Sequence, residues 1–266
     1  CVCTLSSKSG VQDEDIARTW YYWLFTRLSM AWGRYVHGLT VKGEQNVPQS
    51  GPALIIGIHT THNTELYLGL SYICQVKKRV VRPMLHFAAE FLSPITNRFG
   101  GAPGSKELAV ELLRAGHVVG IIPGGLEETF LHLTNNGADC YSPLWESKDG
   151  VPRCGFARVA LAMGAGFRVL PCVFQNGEEM RWNVLFSVWS WLGLDVVYGR
   201  LTRRSPRPLR SALYWIGLYT WSVLSLPLFS FTVPVKVTCH VGEAVAVREG
   251  ETAEELRERV RAALLA

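Results

Sequence analysis

The sequence predicts an α/β fold, a mostly parallel sheet flanked by helices, with an apolar membrane-associated segment set into it. Three observations carry this. From residue 53 onward, short apolar runs alternate with segments of helical period, the pattern of parallel strands joined by crossover helices. Several runs stop at glycine- or proline-bearing turns, the places where open α/β sheets bind ligands. Residues 211–235 carry no charged side chain, which does not fit an ordinary helix of such a domain.

Taken in order, residues 1–14 read as a polar tail. Residues 15–38 read as an amphipathic helix that mixes Trp20, Tyr21, Tyr22 and Trp23 with Arg18, Arg27 and Arg34. Such a helix lies on a membrane surface or packs on the domain. Residues 1–44 are thus set apart from a main domain at 45–266. Ala53–Ile58 is the first strand of that domain, bounded by Gly51-Pro52 and ending at His59; Val80–Phe87 is the next. Ser105 caps a helix through about Ala115, striped by Leu108, Ala109, Leu112 and Leu113 and ended by Gly116. Val118–Ile122 is a strand that stops at Pro123-Gly124-Gly125. Gly155–Ala165 reads as a helix and Arg168–Phe174 as a strand. Val235, Val237, Cys239 and Val241 alternate as a strand with one buried face. Thr252-Ala-Glu-Glu255 is a capping box ahead of Leu256, Val260, Ala263 and Leu264.

Composition narrows the function. With 266 residues, 48% apolar and 18% charged at a mean hydropathy of +0.13, the chain is not disordered and can bury a core without disulfides. Its seven cysteines are odd in number, lack a CxxC pair and fall partly in apolar runs, so buried free thiols are expected. The net charge of +5 is uneven. Between Asp195 and Glu243 there is no acidic residue, while Arg200, Arg203, Arg204, Arg207, Arg210 and Lys236 lie there. This points to an anionic partner at one place and not to nucleic acid. The uncharged run 211–235, part of an apolar insert at about 182–235, reads as a transmembrane helix, an interfacial element or a buried helix. The interfacial reading is preferred because the segment lies inside an α/β pattern, and the arginines would then face anionic head groups.

No GxSxG elbow, GxxxxGK[ST] loop or GxGxxG turn occurs, which argues against a hydrolase serine and nucleotide loops. The chemistry-bearing segment is His59-Thr-Thr-His62-Asn-Thr-Glu65, directly after a strand. Across a tight connection, His59 at the strand end and Glu65 in the next helix's first turn can approach as a general base and its orienting carboxylate. Two other readings stay open: an HxxHxxE metal site of His59, His62 and Glu65, and His62 as the base with His59 structural. Gly104-Ser105-Lys106 opens a helix with backbone N–H groups and a cation that can hold an anion. Pro123-Gly124-Gly125 with Glu128 follows a strand, where glycines permit close backbone approach to a ligand.

The order of these motifs, continued by Gln175-Asn176-Gly-Glu-Glu179 and Val233-Pro-Val-Lys-Val237…Gly242-Glu243, resembles the glycerolipid acyltransferase superfamily, in particular its diacylglycerol-acyltransferase-like, transmembrane-protein-68-like branch. The resemblance covers roughly residues 45–266. It implies an acyl-CoA-dependent O-acyltransferase making di- or triacylglycerol at the endoplasmic reticulum membrane, with the site facing the cytosol. No metal or resident cofactor is expected, acyl-CoA being a co-substrate and an acylglycerol or related lipid the acceptor. Carried over, His59 matches the family histidine and is the catalytic base. Glu65 stands where an aspartate is expected, one residue later than usual, the usual position being Thr64 here. Gly104, Ser105, Lys106, Pro123, Gly124, Gly125, Glu128, Gln175, Asn176 and Glu179 are the substrate-binding candidates. The alternatives are a lysophospholipid acyltransferase, or a lipid-binding protein that keeps the fold without the chemistry.

Overall fold

The computed structural model describes residues 13–60, 64–85, 93–125, 128, 145–146, 151–220 and 230–266. The first twelve residues, His62, His86 and most of 126–150 lie outside them. The sheet strands are β1 (Thr40–Lys42), β2 (Ala53–Gly57), β3 (Val81–Leu85), β4 (Ala102–Pro103), β5 (Val118–Ile121), β6 (Arg168–Gln175), β9 (Thr238–Val241) and β10 (Val245–Ala246). A separate ribbon pairs β7 (Arg181–Asn183) with β8 (Ser230–Thr232). The sheet order is β1-β9-β6-β2-β5-β3-β4, with β10 also on β6. Strands β6, β2, β5, β3 and β4 are mutually parallel; β9 and β10 run antiparallel to β6. The expected mostly parallel sheet is therefore present.

Alternation along the strands divides the core in two. Leu54, Ile56, Val119 and Val169 face α5 (Lys106–Arg114), α6 (Gly155–Met163) and α10 (Ala253–Leu265), meeting Leu113, Phe156 and Leu256. Ala53, Val118 and Leu170 face the other way, toward Leu68 and Ile73 of α3 (Thr64–Lys77). Both faces of β2 are covered, so its sequence is a continuous apolar run with no polar side.

Local signals account for the helix ends. The Ser105 side chain accepts from the Leu108 N–H at 3.2 Å at the start of α5. Thr252 and Glu255 form both bonds of the capping box at the start of α10. The amphipathic N-terminal segment forms two helices, α1 (Asp13–Ala17) and α2 (Trp20–Val36). Asp13 anchors α1 through Oδ1, which accepts from Arg82 Nε at 2.9 Å and lies 2.9 Å from His117 Nδ1. α2 packs on α3: the Phe25 and Tyr67 rings are 5.9 Å apart, and a Cβ on Gly33 would stand 3.0 Å from Leu68. Its other face leaves Trp20, Trp23 and Leu28 exposed.

One expectation is revised. The strand read over Val235–Val241 begins only at Thr238. Pro234 has no N–H to give, and Val237 leads into the pairing with β1, its N–H donating to His37 O at 2.9 Å and its carbonyl accepting from Thr40 N at 3.1 Å. The described residues of the apolar insert form α7 (Val184–Trp191), α8 (Leu194–Arg204) and α9 (Arg207–Tyr219), and the β7–β8 ribbon joins its two ends. Among the described residues no helix is long and apolar enough to cross a membrane. Cys74, Cys154, Cys172 and Cys239 are free thiols, as expected.

Thr252→Ala removes the capping acceptor and should cost about 1 kcal/mol. Urea denaturation should show a lower midpoint with an unchanged slope.

Candidate active site

Strand direction decides where the motifs meet. Because β6, β2, β5 and β4 are parallel, their carboxyl ends share one edge of the sheet. His59 follows β2, Pro123-Gly124-Gly125 follows β5, Gly104-Ser105-Lys106 follows β4, and Gln175-Asn176…Glu179 ends β6 and continues it. The edge spans four strand spacings from β6 to β4, roughly 19 Å. At its centre β2 and β5 are neighbours whose connections diverge: the chain leaves β2 for β3 through α3 on one face, and leaves β5 for β6 through α6 on the other. Such a divergence opens the crevice in which α/β sheets bind ligands.

His59 stands at this crevice, half-buried, two residues beyond the end of β2. Ile58 continues the α5/α6 side of the strand's alternation, so the next position falls on the side of α3. The His59 backbone N–H donates to Glu128 Oε2 at 2.8 Å, a charge-assisted bond across the crevice from the segment after β5. Glu128 is fully buried. A side chain on Gly124 would overlap the Glu128 carboxyl group, so only glycine leaves room for it. The Pro-Gly-Gly-x-x-Glu element thus has an internal logic, its glycine housing the carboxylate that fixes the histidine's backbone. Gly125 takes a φ of +61°, and Arg153 Nη1 donates to the Gly124 carbonyl and lies 3.5 Å from that of Pro123.

Glu65 lies in the first turn of α3 and is completely buried. It sits beside Thr60, the residue after His59, and Gly177 closes on both: a Cβ there would lie 3.2 Å from Glu65 Cγ and 3.2 Å from Thr60 Cγ2. Burial pushes the Glu65 carboxyl up to about 7; the Thr60 hydroxyl and the Glu65 and Thr60 backbone oppose this, and Glu178 adds to it. None of these reaches full hydrogen-bond geometry, for both Glu65 oxygens are without a partner. The expected His59–Glu65 hydrogen bond is therefore not formed in this state; Glu65 instead lies against Thr60, the residue after His59. The metal-site and alternative-base readings both need His62, which is outside the described residues.

The other candidates fall as follows. Gly104 donates to Leu85 O at 2.7 Å, and Lys106 is exposed at the start of α5. Gln175 Oε1 is 3.3 Å from His240 Nε2 on β9, while Asn176, at φ +63°, donates through Nδ2 to Lys236 O at 2.9 Å. Glu179 is exposed, and its N–H meets Asn176 O at 3.3 Å. Gln175 and Asn176 thus tie the end of β6 to the chain around β9. Three residues escaped the sequence reading. Thr60 and Gly177 belong to motifs already singled out, but Arg153 lies far along the chain from the turn it holds and carries no local signal.

The human and bovine proteins named DGAT1/2-independent enzyme synthesizing storage lipids are each 32% identical to the chain over 146 residues, 54% of this chain. The matched segments make up 41% of the human and 40% of the bovine protein. The chicken protein of that name is 26% identical over 264 residues, 97% of this chain and 68% of its own length. Among solved structures, the 1-acyl-sn-glycerophosphate (LPA) acyltransferase PlsC from Thermotoga maritima matches with a TM-score of 0.54 at 14% identity, over 97% of this chain and 82% of that one. No family model matches. The chain is thus similar in sequence to enzymes named for synthesizing storage lipids and similar in fold to a glycerolipid acyltransferase.

Two outcomes follow from this geometry. Gly124→Ala should destabilise the protein by about 1–3 kcal/mol, because the methyl and the Glu128 carboxylate claim one space. Glu128→Ala in that background should recover part of the loss, a non-additivity measurable by thermal denaturation. For Glu65, the folded pKa of about 7 exceeds the ordinary carboxyl value of 4.5, so the folded state binds the extra proton and loses stability as pH rises from 4.5 through 7. Glu65→Gln should therefore stabilise the protein by roughly 2–3 kcal/mol at pH 8. The gain should vanish near pH 4, as read from denaturation midpoints across pH.

Proposed function

We propose that this chain is an acyl-CoA-dependent O-acyltransferase that esterifies the hydroxyl of an acylglycerol, with His59 as general base. One observation carries the reading: His59 stands at the carboxyl-edge crevice between β2 and β5, its backbone fixed by Glu128. The names of the relatives, enzymes synthesizing storage lipids, give the direction of the chemistry.

In this mechanism the acceptor O–H gives its proton to the His59 imidazole as its oxygen attacks the thioester carbonyl carbon. The C–O bond forms and a tetrahedral oxyanion develops. Backbone N–H groups of the Pro123-Gly124-Gly125 turn are suited to hold that charge, since glycines let the backbone approach closely. Collapse breaks the C–S bond, and the imidazolium returns its proton to the departing thiolate, leaving an ester and free CoA. Glu65, with a carboxyl near 7, exchanges a proton close to neutral pH, and as the carboxylate it steadies the imidazolium. A formed His59–Glu65 bond belongs to the substrate-bound state, because catalytic hydrogen bonds often tighten only there. Lys106 at the start of α5 offers a cation for the CoA phosphates.

The test is transfer from labelled acyl-CoA by the purified chain to monoacylglycerol, diacylglycerol and lysophosphatidate. Transfer to a neutral acylglycerol is expected. Transfer to lysophosphatidate alone would replace the proposed acceptor with a phosphorylated one. Lipid binding without transfer would replace the enzyme with a binding protein. His59→Ala should lose about 10²–10⁴-fold in kcat with an unchanged circular dichroism spectrum; undiminished activity would move the base elsewhere.

A further inference from the structure

The insert between β7 and β8 is the most apolar surface among the described residues. Trp182 and Phe231 face each other across the β7–β8 ribbon, both more than half exposed at 55% and 62%. On α7, Leu185, Val188 and Trp191 recur every third residue, and all are exposed, Trp191 at 83%. On α8, Val196, Val197, Arg200, Leu201 and Arg204 fall within an arc of about 140° and are all exposed. On α9, Leu209 and Ile216 repeat after two turns and are exposed, next to exposed Arg210. The opposite sides of the helices are occupied: the Tyr198 hydroxyl of α8 donates to the Leu213 carbonyl of α9, and Ser190 reaches Asp195 at 3.3 Å. The exposed stripes are therefore not the faces that hold the helices together. An apolar area of this kind in a folded chain marks an interaction surface.

Charge decides the occupant. Arg200 and Arg204 lie among the aliphatic side chains on the exposed arc of α8, and the sequence offers no Asp or Glu from 196 through 242 to balance them. A second copy of the chain would bring the same arginines against each other in a two-fold interface. A surface that is both apolar and anionic satisfies both features, and exposed tryptophans beside arginines favour the head-group boundary of a bilayer. We infer that the α7–α9 lobe docks on an anionic lipid bilayer, with Val188, Trp191, Val197 and Leu201 entering the interface and Arg200 and Arg204 meeting lipid phosphates and carboxylates. The inference stands apart from the chemistry assigned to His59.

The experiment is co-sedimentation of the purified chain with vesicles of phosphatidylcholine, alone or mixed with phosphatidylserine. Binding is expected to be stronger with phosphatidylserine and to weaken with salt. Arg200→Glu with Arg204→Glu should lower affinity about tenfold or more for the mixed vesicles and much less for phosphatidylcholine alone. Val188→Ser with Trp191→Ser should lower it for both. These positions are exposed, so circular dichroism should be unchanged. Trp23→Ser with Leu28→Ser, on the exposed face of α2, serves as comparator. The inference is overturned if the chain ignores vesicles, if both lobe variants bind like the parent, or if only the α2 variant loses binding. It is equally overturned if the lobe variants instead dissociate a dimer seen by sedimentation velocity, which would make a second copy the occupant.

Discussion

The hydrogen bond from the His59 backbone to Glu128 is the constraint on which the site depends. It joins the ends of the two strands whose connections part company, so it holds the crevice at the point where it would otherwise be free to splay. Its cost is visible in the sequence. A fully buried carboxylate needs its oxygens satisfied, and housing it removes any side chain from position 124. Arg153 then steadies the same turn through the Pro123 and Gly124 carbonyls. The bond fixes the backbone from which the His59 ring projects, while both Glu65 carboxyl oxygens stay without a hydrogen-bond partner.

Much of the fold could be read from the chain because it rests on local signals. The run Ala53–Ile58, the cap at Ser105, the stop at Gly116 and the Thr252–Glu255 box each appear where the sequence puts them, within a residue or two. These features are set by side chains bonding their own backbone or by alternation along one strand, and neither needs knowledge of distant partners. The failures share the opposite cause. The alternation from Val235 to Val241 is real, but its ladder partner β1 starts only at Thr40, almost two hundred positions earlier, so the point where pairing begins is set by a distant segment. The run 211–235 reads as one uncharged stretch, yet its described residues include the end of α9 and a strand of a ribbon whose pairing links 181 with 232.

The site was legible in a similar, partial way. The sequence named the residues at the strand ends, and parallel direction was enough to bring them to one edge. It did not separate residues that face the crevice from residues that build it. Glu128, Gln175 and Asn176 read as substrate contacts from motif order alone. The structure commits Glu128 and Asn176 to backbone groups and Gln175 to His240, bonds that lie 69, 60 and 65 positions apart in sequence. Polar residues after a strand look alike in sequence whether they bind a ligand or a distant carbonyl, and only tertiary structure tells them apart.

The lobe and the crevice are linked by topology. β6 ends at Gln175 on the carboxyl edge, and within a few residues the chain enters β7 and the lobe. The Gly177 that closes on Glu65 and Thr60 lies in this short connection, so one turn both packs the buried acid and starts the lobe. Burial and then Glu65 raise the Tyr67 hydroxyl pKa on α3, and Arg181, the first residue of β7, opposes them in part. A bilayer bound by the lobe would thus be joined to the crevice by the short connection that packs against Glu65 and Thr60. A lipid hydroxyl could then pass from the membrane interface to the imidazole without crossing water, whereas a thioester on a soluble carrier would arrive from the exposed flank at Lys106. Such a division would explain why the chain keeps a long apolar insert at this edge of the sheet and a polar, capped helix at the other end of the same edge.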